Sequence, residues 1–421
     1  MKTTIQFLKS GLIALLIMAS GSLLAQNGDF FTIKGSLKDS KTKQSLIFAT
    51  ISVPGTHVGT VSNSDGDFTL KIQKSFNAKT ILISHLGYNN KEVEIASLKL
   101  DNGNVISLDP TSVDLQSVTV RPIDAKGIVS DALMKVPYNY SNKPNALIGF
   151  YRETIKQRRD YVSISEAVVD IYKASYKMGT ENDRVKIFKG RKSSNVKKSD
   201  TLAVKMQGGP SVSLLLDIAK HQDLLTFENG LESYNFELED VVSIDNVICY
   251  VIAFSQKTHV TEPLYFGKLY IDTKNLAVLM AQFSLNIEDK DRASALFVKR
   301  KPAGVKFTPT STSYLVTYKE QNGTYFLNYA RNEVKFKCTW PKRIFSSNYT
   351  ITAELAITDR DTENVSRLPY RDSFRSNTVF SDAVGSFNDA DFWGEYNYIE
   401  PDESIDAAIK KYGKRLKRSN E

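Results

Sequence analysis

The sequence predicts a mainly β protein: a small N-terminal β-sandwich, then a curved antiparallel half-barrel sheet with a helix packed on it. Three observations carry this. Short strands with turn signals at close spacing fill residues 30 to 110. Between 146 and 368, apolar and polar residues alternate along longer runs, the pattern of a sheet with one buried and one wet face. Tyr and Phe number 20 and 22, and aromatic side chains suit strands. With 41% hydrophobic and 24% charged residues, the chain is an ordinary folded protein.

The N-terminus reads as an address. Residues 1–25 have a basic start (Lys2, Lys9), an apolar run from Leu12 to Ala19 and a small-residue end at Ala25. That is the layout of a secretory signal peptide, with the cut expected between Ala25 and Gln26. The run is short of the roughly 20 residues that a spanning helix needs. No cysteine follows it, so a bacterial lipoprotein anchor is not expected. No later run is apolar for long enough to form a membrane helix. The chain is expected in the periplasm, soluble or peripheral at the outer membrane.

The expected division of the mature chain, about 395 residues and long enough for two or three domains, is a sandwich over 26–110, a linker strand and helix over 111–145, a curved β domain over 146–368 and an irregular tail with a basic helix over 369–421. In the sandwich, Phe31–Leu37 opens, and Leu46–Val53 follows. Asp65-Gly66 makes a tight turn into Phe68–Ile72, since a primed turn needs positive φ and Gly tolerates it best. Thr80–Ser84 and Lys91–Ile95 complete the set. Asn63 to Asp67 invites a calcium reading, but an EF-hand frame would place Val61 at the first ligand position, where no side-chain oxygen is on offer. A hairpin turn is the plainer account.

In the linker, Leu115–Val120 reads as a strand. Asp124 is a candidate cap for a helix bearing Ile128, Val129, Ala132, Leu133 and Val136, and Pro137 is expected to end it. In the large domain, Gly149–Glu153 leads through Arg158-Arg-Asp160 into Tyr161–Tyr172. Val247–Phe254 is a continuous apolar run. Leu269–Asp272 turns through Thr273-Lys-Asn275 into Leu279, Ala281, Phe283 and Leu285. Val334, Phe336, Cys338 and Trp340 alternate with Lys335, Lys337 and Thr339. One helix is expected among them, capped at Ser211, with Leu215, Ile218, Ala219 and Leu225 as an apolar stripe.

Two resemblances follow from these residues. Ser45 to Leu70, with Ser84-His-Leu-Gly-Tyr88, resembles the carboxypeptidase-like regulatory domain family. That implies a transthyretin/Ig-like sandwich with no active site of its own. The long sheet with a helix on its concave side looks like the lipoprotein-carrier fold of LolA type, and Gly267–Thr273 is similar to that superfamily's turn after a central strand. Gly149–Glu153, Glu166-Ala167 and Lys189-Gly-Arg191 resemble envelope proteins that carry a regulatory domain at their N-terminus. Some relatives continue into an outer-membrane barrel, whereas this chain ends on a basic stretch with no aromatic-terminated strand.

The search for chemistry finds little. His57, His85, His221 and His259 form no metal-spaced pair. There is no Gly-x-Ser-x-Gly elbow, phosphate loop or dinucleotide fingerprint. Ser194-x-x-Lys197 matches a two-letter pattern whose companions are missing. No catalytic residue, metal or cofactor is assigned, and an enzyme is not expected. Cys249 and Cys338 are either a disulfide, worth up to ~4–5 kcal/mol, or two buried thiols. Arg152, Glu153 and Glu166 are either a buried ion network or a ligand contact; charges buried in a β-core are usually paired. Arg184 to Lys198 holds seven basic residues and no acid. Lys189, Arg191 and Lys192 there are candidate anion contacts, or they protect a sheet edge. The basic residues from Lys410 to Arg418 suit a helix end, or they contact anionic lipid or a partner. Removing Lys2 and Lys9 takes the net charge of +8 to +6, too mild to suggest nucleic acid.

The expected function is therefore non-catalytic: an exported envelope protein that binds an apolar ligand, lipid or acyl chain, or an envelope partner. Leu215, Ile218, Leu225, Phe283 and Phe336 are candidate lining of a groove between helix and sheet. The alternative is a carbohydrate-binding or assembly module acting through the sandwich. Tyr88 and the lack of Trp there count against sugar.

Overall fold

The computed structural model describes residues 29–101, 103–111, 124–177, 181–194, 208–226, 230–297, 304–341, 344–386, 392–402, 405 and 407. The expected leader, the strand at 115–120, Lys197 and the basic stretch from Lys410 lie outside them.

The first unit is a sandwich of seven strands: β1 (Phe30–Asp39), β2 (Thr50–Ser52), β3 (Gly59–Val61), β4 (Asp67–Gln73), β5 (Thr80–Ser84), β6 (Lys91–Glu94) and β7 (Gly103–Leu108). They form two sheets, ordered β4-β1-β7 and β3-β2-β5-β6. Ile33, Leu37, Ile51, Phe68, Leu70 and Ile83 interleave as its core. The expected strand over 46–53 shrinks to three residues because Phe48 has φ 59° and cannot lie in a strand. The turn before β4 also differs from the primed form. Gly66 has φ 84°, but Asp65 is not at positive φ, as a type I′ turn would require. The Gly66 N–H donates to the Asn63 carbonyl (3.1 Å), and Asn63 Oδ1 accepts from the N–H of Asp65 and Asp67 (2.9 and 2.8 Å). Asn63 thus does locally what a second left-handed residue would have done.

Helix α1 (Ala125–Met134) follows, capped by Asp124, whose Oδ1 accepts from Gly127 N–H (2.9 Å). Pro137 does not end the helical run. It sits at the start of a second short helix, α2 (Val136–Asn139), where its missing N–H costs nothing.

The rest is one large curved sheet. Its strands are β8 (Asn145–Gln157), β9 (Asp160–Lys173), β10 (Arg184–Ser194), β11 (Tyr234–Ile244), β12 (Val247–Gln256), β13 (Tyr265–Asp272), β14 (Val278–Leu285), β15 (Lys306–Gln321), β16 (Thr324–Thr339), β17 (Ser347–Asp361) and β18 (Gly385–Ser386). Their order is β11-β12-β13-β14-β15-β16-β17-β8-β9-β10-β18. Pairing is antiparallel throughout, except that β18 joins β10 in parallel.

Both faces are covered, by different material. On one face lie α1 and the segment 209–226. The segment is not the single helix expected. It is α3 (Gly209–Leu214), irregular turns and α4 (Asp223–Thr226). Ser211 is no cap; Gly208 holds that position at φ 96°, and Ser211 Oγ donates to the Phe374 carbonyl (3.3 Å). Helix α5 (Lys290–Phe297) packs farther along, beside β15, and α6 (Phe380–Ala383) packs Phe380 against Tyr151 on this same face, shortly before β18. On the opposite face sit the edge of the sandwich and the tail from Phe392, where Val61, Phe150, Tyr329, Trp393 and Ile399 share a core. Cys249 and Cys338 are free thiols in separate cores. Burial pushes them up to about 12 and about 11, which leaves them inert at ordinary pH.

Candidate functional site

The site begins with side chains that break the inside-outside alternation. On β14, Leu279, Met280, Ala281, Phe283 and Leu285 are all buried in one core cluster, and Leu279, Met280 and Phe283 also line a space beneath the sandwich. In the β13–β14 register Met280, Gln282 and Ser284 stand opposite Tyr270, Lys268 and Phe266, and Met280 lines an apolar space with Phe266 on β13 and Leu315 on β15. The sandwich overhangs this part of the sheet and supplies Ile47, Phe48 and Leu86. Between the two units lies a cleft of about 590 Å³, within the size range of small-molecule sites.

Specific contacts hold its roof. Asn328 Nδ2 donates to Thr50 Oγ1 (3.0 Å), and Gly87 N–H donates to the Ser243 carbonyl (3.3 Å). Phe48 stacks on Tyr329 at 5.7 Å and lies under the Arg331 guanidinium at 5.2 Å. Its positive φ is an uncommon strain for a bulky residue, and such strain collects at ligand sites. Ile47 and Phe266 are 41% and 46% exposed, so the mouth is apolar as well as the floor.

The polar groups cluster toward one side. Asp245 and Asn246, both at positive φ, make a two-residue hairpin between Ile244 and Val247. This tip brings Asp245 near Lys319 of β15, and both line the cleft. Burial lowers the Lys319 ammonium to about 8, only partly offset by Asp245, with Arg360 adding to the fall. Burial raises the Asp245 carboxyl, and a hydrogen bond from Ser84 opposes it. Elsewhere Lys268 is tied to Glu239 (2.7 Å) and Arg331 to Glu333 (2.8 Å). The cleft therefore offers an apolar floor and one weakly held amine. It suits a ligand with an apolar body and a polar end.

Of the expected groove residues Phe283 lines this cleft, and Leu215, Ile218, Leu225 and Phe336 lie elsewhere. Ile218, Leu225 and Phe283 meet in one core on the helix-bearing face, at 1%, 1% and 4% exposure. Leu215 points outward and is half exposed. Phe336 belongs to another cluster, against Phe307 and Tyr349. The first three pack as interior. Beside them Asp217 is fully buried and binds Lys173 (2.6 Å) and the hydroxyls of Tyr176 and Tyr318 (both 2.7 Å). Burial pushes the Asp217 carboxyl up, but these partners hold it below its ordinary value.

The candidate anion contacts are engaged. Arg191 Nε pairs with Glu166 (2.9 Å), Lys192 Nζ donates to the Ser381 carbonyl (2.5 Å), and Lys189 lies over the Phe392 ring at 4.6 Å. Arg152 Nε takes the other Glu166 oxygen (2.8 Å). Arg152, Glu166 and Arg191 form a buried ion network. Glu153 points to the opposite face. Tyr88 donates to Asp39 (2.7 Å) and is half-buried. Among the described residues no group of three His, Cys, Asp or Glu side chains could hold a metal.

Comparison with known proteins agrees on the first unit. Residues 33–120 match the CarboxypepD_reg-like domain. The resemblance read from Ser45 to Tyr88 is thereby shown. No curated protein matches the chain. Among solved structures, an outer membrane lipoprotein-sorting protein domain from Vibrio parahaemolyticus is similar at 8% identity and TM-score 0.26, covering 58% of this chain and 94% of that one. A DUF1329 family protein from Desulfovibrio piger is similar at 11% identity and TM-score 0.25, covering 58% and 96%. A LolA superfamily protein from Nitrosomonas europaea is similar at 11% identity and TM-score 0.23, covering 59% and 96%.

Only through Phe283 did sequence reasoning reach the cleft. Its legible signal was an apolar residue on the wet face of a strand, at Phe266, Met280 and Leu315. The sandwich that covers them is remote in sequence.

Proposed function

We propose that this chain is an exported, non-catalytic envelope protein that holds an apolar or acyl-chain ligand in the cleft between sandwich and sheet. We divide it as the sequence suggests, with the tail from 369 serving as a clasp between the two units. The single observation that carries the reading is the 590 Å³ cleft floored by Phe266, Met280 and Leu315. The expected groove on the helix-bearing face is occupied by Ile218 and Leu225 themselves. The reading needs no reacting group, in keeping with a sequence that offers none.

A fluorescent fatty-acid analogue titrated into the purified protein tests it. Saturable binding is expected. Phe266→Asp, at a half-exposed position, should weaken binding at least about tenfold with little change in melting temperature, since burial of an aromatic ring is worth ~1.5–3 kcal/mol. Ile218→Gln should do the reverse. It buries an unpaired amide at a cost of about 1–3 kcal/mol and leaves the affinity of the folded protein alone. Binding lost in Ile218→Gln and kept in Phe266→Asp would return the site to the helix-bearing face. No binding at all would leave a protein partner as the better account.

A further inference from the structure

We infer that the end of the large sheet where β15 begins and β16 ends docks on an anionic lipid surface. The inference is independent of the cleft, which lies about 27 Å away along β16 at roughly 3.4 Å per residue from Arg331 to Thr339.

Two observations converge there. The first is apolar. The β16–β17 connection exposes Ile344 and Phe345 at 95% and 77%, side by side. Single exposed apolar residues are ordinary on protein surfaces, but a projecting pair is a marker of an interaction site. Trp340, half-buried, flanks them. Nothing in the fold requires these side chains, because the cluster beneath is already closed by Phe336, Tyr349 and Trp340.

The second is charge. The β8–β9 turn brings Arg158 and Arg159 to the same end, where the Arg158 N–H donates to the Asn348 carbonyl (2.8 Å) beside the start of β17. Both arginines are exposed, and neither joins an ion pair among the described residues. Register places Lys156 and Lys335, the latter paired with Glu333 (3.1 Å), on either side of Thr350 in one cross-strand row. Lys337 and Lys306 continue the cationic side on β16 and β15, exposed between buried neighbours. Ile405 packs with Tyr161 and Ile164 at the start of β9.

An exposed apolar pair inside a field of lysine and arginine is complementary to an anionic bilayer. The apolar side chains enter the headgroup layer while the cations meet phosphates. The commitment is to a lipid surface. An acidic protein would match the charge but would not account for two apolar side chains projecting beyond it.

The test is vesicle co-sedimentation of the chain starting at Gln26, ahead of the first described residue. Vesicles of phosphatidylcholine alone are compared with vesicles containing phosphatidylglycerol. Binding is expected to the anionic vesicles only. It should fall as salt rises from about 0.1 to 1 M, where the Debye length shortens from about 10 to 3 Å. Arg158→Glu with Arg159→Glu should weaken it by more than about tenfold, at roughly 1 kcal/mol per cation near the surface. Ile344→Asp with Phe345→Asp should do the same. All four positions are exposed, so melting temperatures should not move; Lys337→Glu is the further variant if either pair disturbs folding. Equal binding to both vesicles, or anionic binding unchanged in both pairs, overturns the proposal. No binding to either vesicle also overturns it and assigns the tip to a protein partner.

Discussion

Glu153 and Arg152 are neighbours in sequence with opposite fates. One step along a strand reverses the face. Arg152 lies opposite Glu166 in the β8–β9 register, and Arg191 lies opposite Glu166 across β9–β10. One carboxylate therefore holds two guanidinium groups. Glu153 turns to the side of Tyr151, is 2% exposed, and among the described residues receives only the Tyr151 hydroxyl at 3.3 Å. Burial pushes its carboxyl from 4.5 up to about 7, and that hydrogen bond offsets only part of the rise. Because the folded value is the higher one, the native state keeps a proton that the unfolded chain has lost. Stability should therefore fall as pH rises from about 4.5 to about 7, by about 3 kcal/mol in all, and level off above. Urea unfolding at pH 5, 6 and 7.5 measures this. Glu153→Gln should remove that part of the slope, and a variant with the parent's slope would disprove the assignment.

At the scale of elements, the turn before β4 shows how one residue holds a connection. Gly66 takes φ 84°, and a Cβ there would lie 2.9 Å from the Leu37 carbonyl and 3.0 Å from Ser45. Its own carbonyl accepts from Leu37 N–H (2.8 Å), so the backbone cannot simply shift away. Gly66→Val should cost more than the ~1 kcal/mol of an average substitution. An unchanged melting temperature of the full chain would contradict this. The segment 209–226 shows the opposite case, where tertiary contacts override a helical pattern. Gly208 and Gly209 both take positive φ. Asp217 then leaves the helical path to reach Lys173. Of the expected stripe, Ile218 and Ala219 are buried from turns and Leu225 from α4, while Leu215 is half exposed.

At the scale of the whole molecule, the tail joins the two units. The Asn397 side chain bonds both backbone groups of Lys71, accepting from its N–H (2.7 Å) and donating to its carbonyl (3.0 Å). It serves β4, a sheet edge, in place of a further strand. Two residues on, the Ile399 carbonyl accepts from Arg152 Nη2 (2.6 Å) on the large sheet. The cleft roof is thus held from two sides. The proposed export also concerns the whole chain, and the sequence expects its signal in residues 1–25. N-terminal sequencing of material recovered from the envelope should begin at or near Gln26. Intact Met1 on a soluble cytoplasmic pool would contradict the reading.

What the sequence by itself determined is local in origin. Alternation specified the strands and their inward faces, Asp124 specified a helix start, and Ser45 to Tyr88 specified the regulatory-type sandwich. Each depends on residues a few positions apart, so a linear reading reaches them. Only the tertiary structure decided which apolar surfaces meet. Ile218 and Leu225 looked like lining and became core, because the sheet closes on them. Met280 and Leu315 drew no reading from the sequence and form the floor of a cleft, because a sandwich remote in sequence folds over them. Arg191 was a candidate anion contact or edge guard and is held by Glu166. Burial is set by long-range packing, and hydrophobic and electrostatic energies follow burial, so the site could be located only after the chain had folded.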